Sequence, residues 1–109
     1  MNNYGSKRLW MAAALLTATM FSASAADAGA DTFKAKCAGC HGADGGGKTA
    51  LGTKLKLRDL RSLEVQKQTD VELGSIIEKG KAPMPAFGKT LGTSGVQDLV
   101  VYIRTIAAK

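Results

Sequence analysis

Three residues that can do chemistry lie within one five-residue stretch of this 109-residue chain. Cys37 and Cys40 are separated by two small residues, and His41 follows directly, which gives the pattern C-x-x-C-H. Two thiols at this spacing can add to the two vinyl groups of one haem, and the adjacent imidazole then lies beneath the iron. The pattern therefore predicts one covalently attached c-type haem, held by Cys37 and Cys40, with His41 as the proximal iron ligand.

A pair of cysteines also serves thioredoxin-like dithiols, zinc sites and simple disulfides. A structural zinc site needs four Cys or His ligands, whereas the chain holds two cysteines and one histidine. A thioredoxin-like motif is expected in a βαβ context, and no such pattern surrounds Cys37. Haem attachment is therefore the favoured interpretation.

The first 25 residues are typical of a secretion signal. Lys7 and Arg8 precede an almost wholly apolar run from Leu9 to Phe21, and small residues follow as far as Ala25. The run of about thirteen residues is shorter than the roughly twenty that a membrane-spanning helix needs. The pattern predicts cleavage after Ala25, a periplasmic location in a bacterium, no stable membrane insertion and one domain over 26–109. Loss of the two basic residues lowers the formal net charge from +6 to about +4.

A domain of this size buries little surface and commonly depends on a metal, a disulfide or a bound group. Phe33, Phe87 and Tyr102 are the only aromatic residues beyond the predicted signal. A large apolar cofactor would supply the missing part of the core.

Helical patterns dominate the rest of the chain. A short helix is predicted over 27–36, and Thr69 with Glu72 forms a capping-box pattern before a helix at about 70 to 79. Ser94 with Gln97 repeats that pattern before an amphipathic helix at about 95 to 107. Because no alternating strand pattern occurs, the predicted fold class is all-α.

The segments between these helices carry weaker patterns. Glycines at positions 42 and 45–47 predict a flexible loop, and a phosphate-binding loop is rejected because no Gly-Lys-Ser/Thr ending follows at the required spacing. The period of the leucines in 51–60 is ambiguous between helix and strand.

With these residues in view, the chain resembles the small class I cytochromes c over nearly all of 26–109. In that family a glycine and an aromatic residue on the first helix cross a Leu-x-x-aromatic pair on the last; Gly29, Phe33, Leu99 and Tyr102 match that pattern. The resemblance implies three to five short helices wrapped around one haem, and an electron-transfer protein rather than an enzyme. It also implies a second axial ligand from a methionine in a loop between the later helices.

Counting residues identifies that methionine. Three of the four methionines lie in the predicted signal, so Met84 alone remains, between Pro83 and Pro85. His41 is the only histidine, so two histidines of one chain cannot ligate the iron. Met84 is the predicted distal ligand, although a lone methionine also serves as core filler. An iron with six ligands suits one-electron exchange, and no catalytic acid or base is predicted.

Several residues around the predicted site have two interpretations each. Phe87 either shields the haem or packs in the ordinary way. Arg58 or Arg61 either pairs with a haem propionate or lies on the solvated surface. Basic residues lie near the site, and we expect them to steer the protein toward acidic redox partners and not nucleic acid: Lys48, Lys54, Lys56, Arg58, Arg61, Lys79, Lys81 and Lys89.

The sequence favours a soluble, monomeric one-electron carrier that shuttles electrons between exported or membrane-bound partners. One alternative is a haem subunit of a dehydrogenase or oxidase complex. Another is a haem sensor or peroxidase whose distal ligand leaves to admit a small molecule. Carbon monoxide binding without denaturant would distinguish this last alternative.

Overall fold

The computed structural model describes residues 14–20 and 22–108. Within these residues the chain forms six helices and no named strand: α1 (Ala25–Lys36), α2 (Ala38–His41), α3 (Ala50–Lys54), α4 (Leu63–Gln66), α5 (Asp70–Lys79) and α6 (Gly88–Thr105). The predicted all-α class is confirmed. The helix count exceeds the predicted three to five because α2, α3 and α4 are single turns of four or five residues.

Part of the predicted secretion signal, residues 1–13 and 21, lies outside the described residues. The last residues of the predicted signal, 22–25, are described. Among them, Ser24 caps α1 by accepting a hydrogen bond from the Asp27 amide at 3.1 Å. This cap places the start of α1 at Ala25, two residues before the predicted start. The predicted cut after Ala25 therefore falls at the first residue of α1. Among the described residues, no helix has the length and apolar character needed to cross a membrane.

Helices α1 and α6 cross in close contact. A methyl group at Gly29 would collide with the Asp98 carbonyl and lie 2.8 Å from the Tyr102 Cβ. Phe33 and Leu99 are 2% and 1% exposed, and the Phe33 and Tyr102 rings lie 5.1 Å apart at an interplanar angle of 50°. The glycine thus allows the backbones to approach, and the aromatic pair fills the crossing.

Helix α5 follows its sequence pattern closely. Thr69 and Glu72 form both hydrogen bonds of the capping box, each at 3.1 Å, and Gly80 is the C-cap that follows Lys79. Leu73 and Ile77 of this helix are buried in the core.

Helix α6 differs from the prediction at its start. It begins at Gly88, with Phe87 as its N-cap, and is interrupted at Gly92, where φ is 67° and ψ is 176°. The part of α6 that follows Gly92 matches the helix predicted at about 95 to 107 to within two residues at each end. A further helical turn over 88–91 precedes this interruption and was not predicted, because no capping side chain marks its start.

The core lies between α1, α4, α5 and α6. Its buried side chains are Phe33, Val65, Leu73, Ile77, Val96, Leu99, Val100 and Ile103. Glycines 45–47 form a loop, as predicted, but all three are buried. The Gly45 carbonyl accepts a hydrogen bond from the Leu60 amide at 2.9 Å. This loop is therefore packed against 57–61 and is not open to a phosphate.

Candidate haem site

A cavity of about 320 Å³ lies between the core helices and the loop that carries Met84. Its volume lies at the lower end of the roughly 300–1,000 Å³ typical of ligand pockets. Cys37, His41 and Met84 line it together with apolar residues. These are Leu57, Leu60, Val65, Leu73, Ile76, Ile77, Ala82, Pro83, Leu99 and Ile103. The cavity thus combines an apolar wall with the side chains that the sequence singled out.

A second cavity of about 110 Å³ adjoins the first. It is lined by Cys40 and shares Cys37, His41 and Met84 with the larger cavity. The structure therefore brings all four predicted haem-binding residues to one place, although more than forty positions separate His41 from Met84.

One helical turn positions the cysteines and the histidine. The Cys37 amide donates to the Phe33 carbonyl at 2.8 Å, which ties the motif to the end of α1. The His41 amide donates to the Cys37 carbonyl at 2.9 Å. Gly42 then ends the turn with φ of 83°, a conformation that suits glycine. The two thiols, three positions apart, are consequently carried on the same side of one short, anchored turn, and both line the smaller cavity.

A tight turn positions Met84. Its amide donates to the Lys81 carbonyl at 2.8 Å, and the Lys81 amide donates back to the Met84 carbonyl at 3.1 Å. The Phe87 amide donates to the Ile77 carbonyl at 2.9 Å and fastens the end of the loop to α5. Gly80 begins this loop with φ of 75°, so a glycine is needed there.

The protonation chemistry of the site opposes the thioredoxin interpretation. Burial, and secondarily the neighbouring Cys40, raise the pKa of the Cys37 thiol to about 11. Redox-active cysteines instead have a lowered pKa, because the thiolate is the nucleophile. A zinc site is also unsupported, since the described residues contain no group of three or more His, Cys, Asp or Glu side chains that could hold a metal ion.

The state of His41 fits an iron ligand. Burial lowers the pKa of its imidazole, which favours the neutral ring that binds metals. Its Nδ1 atom is buried and has no hydrogen-bond partner among the described residues. The ring is therefore not committed to a protein hydrogen bond through that atom. Together with the apolar cavity and the two half-buried free thiols, this fits a covalently bound porphyrin.

The charged side chains at the cavity edges are all basic among the described residues. Lys56, Arg58 and Lys81 line the larger cavity, and Lys36 lines the smaller. Arg61 does not line either cavity. Its Nε donates to Asp59 at 2.9 Å, and its Nη1 lies 3.2 Å from an Asp44 carboxylate oxygen. Of the two arginines considered for a propionate, the structure places only Arg58 at the site.

Other lining residues were not singled out by the sequence. Leu57 and Leu60 lie in an irregular segment that follows α3, and Lys56 there has φ of 56°. The only indication in the sequence that this segment lines a cavity was its series of leucines without a regular period. Phe87 is half-buried and lines the smaller cavity beside Met84 and Pro85, which is compatible with both of its earlier interpretations.

An all-helical domain with a C-x-x-C-H turn on the wall of an apolar cavity is the arrangement of a haem protein of the c type. This chain belongs to the small monohaem c-type cytochromes. Residues 24–103 match the family described as cytochrome c oxidase, cbb3-type, subunit III. The chain accordingly carries covalently bound haem c and is a cytochrome c electron carrier.

Curated relatives come from two groups. The chain is 35% identical over 82 residues to the cbb3-type cytochrome c oxidase subunit FixP of Azorhizobium caulinodans, covering 75% of this chain and 27% of FixP. It is 30% identical over 94 residues to cytochrome c6 of Synechococcus sp., covering 86% of this chain and 80% of that protein. The chain thus spans about a quarter of FixP but most of the cytochrome c6.

Solved structures agree with this assignment. The KustC0563 c-type cytochrome has a TM-score of 0.68 and 30% identity, with 73% of this chain and 98% of that chain covered. The c-type cytochrome XoxG from Methylobacterium extorquens AM1 has a TM-score of 0.61 and 31% identity, with 77% of this chain and 51% of XoxG covered. The resemblance to class I cytochromes c and the predicted cofactor are therefore confirmed.

Proposed function

We propose that this cytochrome is exported and shuttles single electrons between redox partners, with its haem bonded to Cys37 and Cys40 and its iron held between His41 and Met84. The observation that carries the proposal is that His41 and Met84 line the same cavity. Met84 is also the only methionine beyond the predicted secretion signal. No other thioether of a chain processed in this way can reach the iron.

The residues of the site have distinct roles in this mechanism. The haem, when bound, supplies an iron that accepts and releases one electron. Cys37 and Cys40 keep the haem from leaving, and the neutral His41 imidazole donates to the iron. The soft thioether of Met84 stabilises the reduced iron and so raises the reduction potential. Apolar neighbours such as Leu73 and Ile77 keep water away from the metal and support the same effect.

The basic rim supports a docking role. Lys36, Lys56 and Lys81 lie at the cavity edges, where an electron would enter or leave. Opposite charges on a partner would increase the rate of encounter, and salt would weaken that attraction. We assign the haem propionate to Arg58, because Arg58 lines the larger cavity and Arg61 lines neither cavity. Arg58 also forms an exposed ion pair of 3.5 Å with Glu64, which is longer than the 2.9 Å pair of Arg61 with Asp59. Electron-transfer rates that do not change with ionic strength would contradict the docking role.

Replacement of Met84 tests the ligand assignment. In the matured holoprotein, Met84→Ala should lower the reduction potential, remove the weak far-red band of sulfur-to-ferric-iron bonding and open the iron to carbon monoxide. Ile76→Ala is the matched control, because Ile76 also lines the cavity but carries no sulfur. The control should keep the far-red band. An unchanged band and potential in Met84→Ala would refute Met84 as the ligand.

A second candidate function is a haem subunit of an oxidase complex. The family description and the similarity to FixP favour it. Copurification of the native protein with a membrane oxidase would support this function, and recovery as a free monomer would support the shuttle. A sensor or peroxidase would bind carbon monoxide in the unmodified protein without denaturant.

A further inference from the structure

Thr49 joins two elements beside the proposed haem-binding turn. Its Oγ1 donates to the Cys40 carbonyl at 2.7 Å and accepts from the Gly52 amide at 2.8 Å. Both hydrogen bonds are partly buried. One hydroxyl group therefore links the turn that carries the cysteines and histidine to the first turn of α3.

The carbonyl that Thr49 contacts belongs to the peptide bond that joins Cys40 to His41. The next carbonyl, that of His41, accepts from the Gly47 amide at 2.7 Å. A methyl group at Gly52 would lie 2.7 Å from the Cys40 carbonyl oxygen, so α3 is in direct contact with this corner. The backbone on both sides of His41 is thus fixed by neighbouring segments.

Other capping residues of the chain show that this arrangement is more than a helix cap. Ser24, Ser62 and Thr69 also accept from amides at helix starts. Their bonds hold the first turn of their own helices, as capping bonds usually do. Thr49 differs because it also donates, over nine positions, to the residue before His41.

We propose that Thr49 is a positioning residue for the haem, which fixes the Cys40–His41 corner and thereby the orientation of the His41 ring and the potential of the iron. This role rests on the proposed ligation by His41. The hydroxyl donor offsets the partial negative charge on the Cys40 carbonyl. Its removal would leave that charge unbalanced beside His41, the proposed iron ligand, and a negative charge there would favour the ferric state.

The experiment compares holoprotein variants that keep or lose the hydroxyl. Thr49→Val and Thr49→Ala remove it, Thr49→Ser keeps it, and Thr53→Val changes an exposed threonine of the same helix. Midpoint potential, haem-methyl NMR shifts of the ferric protein and pyridine haemochrome spectra are measured for each. The NMR shifts report the orientation of the axial ligand ring, and the haemochrome spectra report covalent attachment.

We expect Thr49→Val and Thr49→Ala to change the ferric-to-ferrous ratio at a fixed potential by about threefold in favour of ferric. This equals about 30 mV for a one-electron couple, at 59 mV per tenfold change. The haem-methyl shifts should change in the same two variants, while attachment is unaltered and Thr49→Ser and Thr53→Val match the wild type. If one of the two hydroxyl-free variants does not accumulate as holoprotein, the other alone is enough to test the role of Thr49.

Wild-type potential and wild-type haem-methyl shifts in the hydroxyl-free variants would overturn the role of Thr49, even if their thermal stability falls. That outcome leaves the proposed function intact, because the wild-type spectrum would still show histidine and methionine ligation. A wild-type spectrum without histidine ligation would instead refute the proposed function, and the role of Thr49 with it.

Discussion

Gly80 offers a direct test of how the Met84 loop is held. Its backbone has φ of 75° and ψ of 168°, a region that is essentially restricted to glycine. A methyl group there would lie 2.8 Å from both the Met84 carbonyl oxygen and the Ala86 amide nitrogen. These atoms are backbone and cannot rotate away, so Gly80→Ala must displace the loop that presents Met84.

The cost follows from two contributions. An alanine in this backbone region costs roughly 1–3 kcal/mol, and a forced contact of this kind costs roughly 1–3 kcal/mol more. The total of about 2–6 kcal/mol favours an open loop by roughly thirtyfold or more, at 1.4 kcal/mol per factor of ten. Gly92 is the matched control, because its φ of 67° is similar but no atom beyond the adjacent backbone of its own helix lies within 4 Å of the added methyl group. Gly92→Ala should therefore cost only the first contribution.

Denaturant titration of the ferric holoprotein distinguishes the two variants. The far-red sulfur–iron band follows the Met84 loop, and far-ultraviolet circular dichroism follows the helices. In Gly80→Ala the band should disappear at a lower denaturant concentration than the helices, or be absent from the start. In Gly92→Ala the two transitions should stay as close as in the wild type. A normal band and a stability equal to Gly92→Ala would refute the argument that Gly80 is needed for the loop.

Three further predictions concern stability. Phe33→Ala leaves a cavity at the crossing of α1 and α6 and should lower the free energy of unfolding by about 3–5 kcal/mol in denaturant titrations. Val71→Ala, at an exposed site, is the control and should change the free energy of unfolding by about 0.5 kcal/mol at most. Arg104→Met removes hydrogen bonds to the Gln66 and Gln68 carbonyls, and one unsatisfied carbonyl should cost about 1–3 kcal/mol in the same assay. Hydrogen bonds from Arg61 lower the pKa of the Asp59 carboxyl in the folded protein. The ionised carboxyl should therefore stabilise the fold above the ordinary carboxyl pKa of about 4, and this stabilisation should be lost as the pH falls through the lowered pKa of the folded state. The stability difference between wild type and Asp59→Asn, followed by acid titration, should shrink over that range; a constant difference would contradict the ion pair.

Local patterns predicted the elements whose determinants lie close together in sequence. The capping box of Thr69 and Glu72 requires only two side chains three positions apart, and α5 formed where that pattern placed it. The crossing of α1 and α6 could be predicted only from the resemblance to class I cytochromes c. The spacing of Gly29 and Phe33 does not by itself indicate which residues of the last helix are their neighbours.

The remainder depends on long-range packing. No sequence pattern distinguishes Arg58 from Arg61, since both follow a lysine-rich stretch and both have an acidic neighbour. Only the fold directs Arg61 toward Asp44 and Asp59 and leaves Arg58 at the cavity. The turn over 88–91 was not predicted, because its N-cap residue, Phe87, forms no side-chain capping bond that a sequence pattern could indicate.

The two sides of the proposed haem site are held in different ways. Cys37, Cys40 and His41 lie on one turn whose backbone is anchored by α1 and by Thr49, and covalent bonds to the haem would reinforce that anchor. Met84 is held by a four-residue turn, by Gly80 and by one hydrogen bond from Phe87 to α5. Partial unfolding should therefore begin at the thioether, since few bonds need to break there. The haem would stay attached while the iron loses its sixth ligand, which is the order of events that Gly80→Ala is designed to expose.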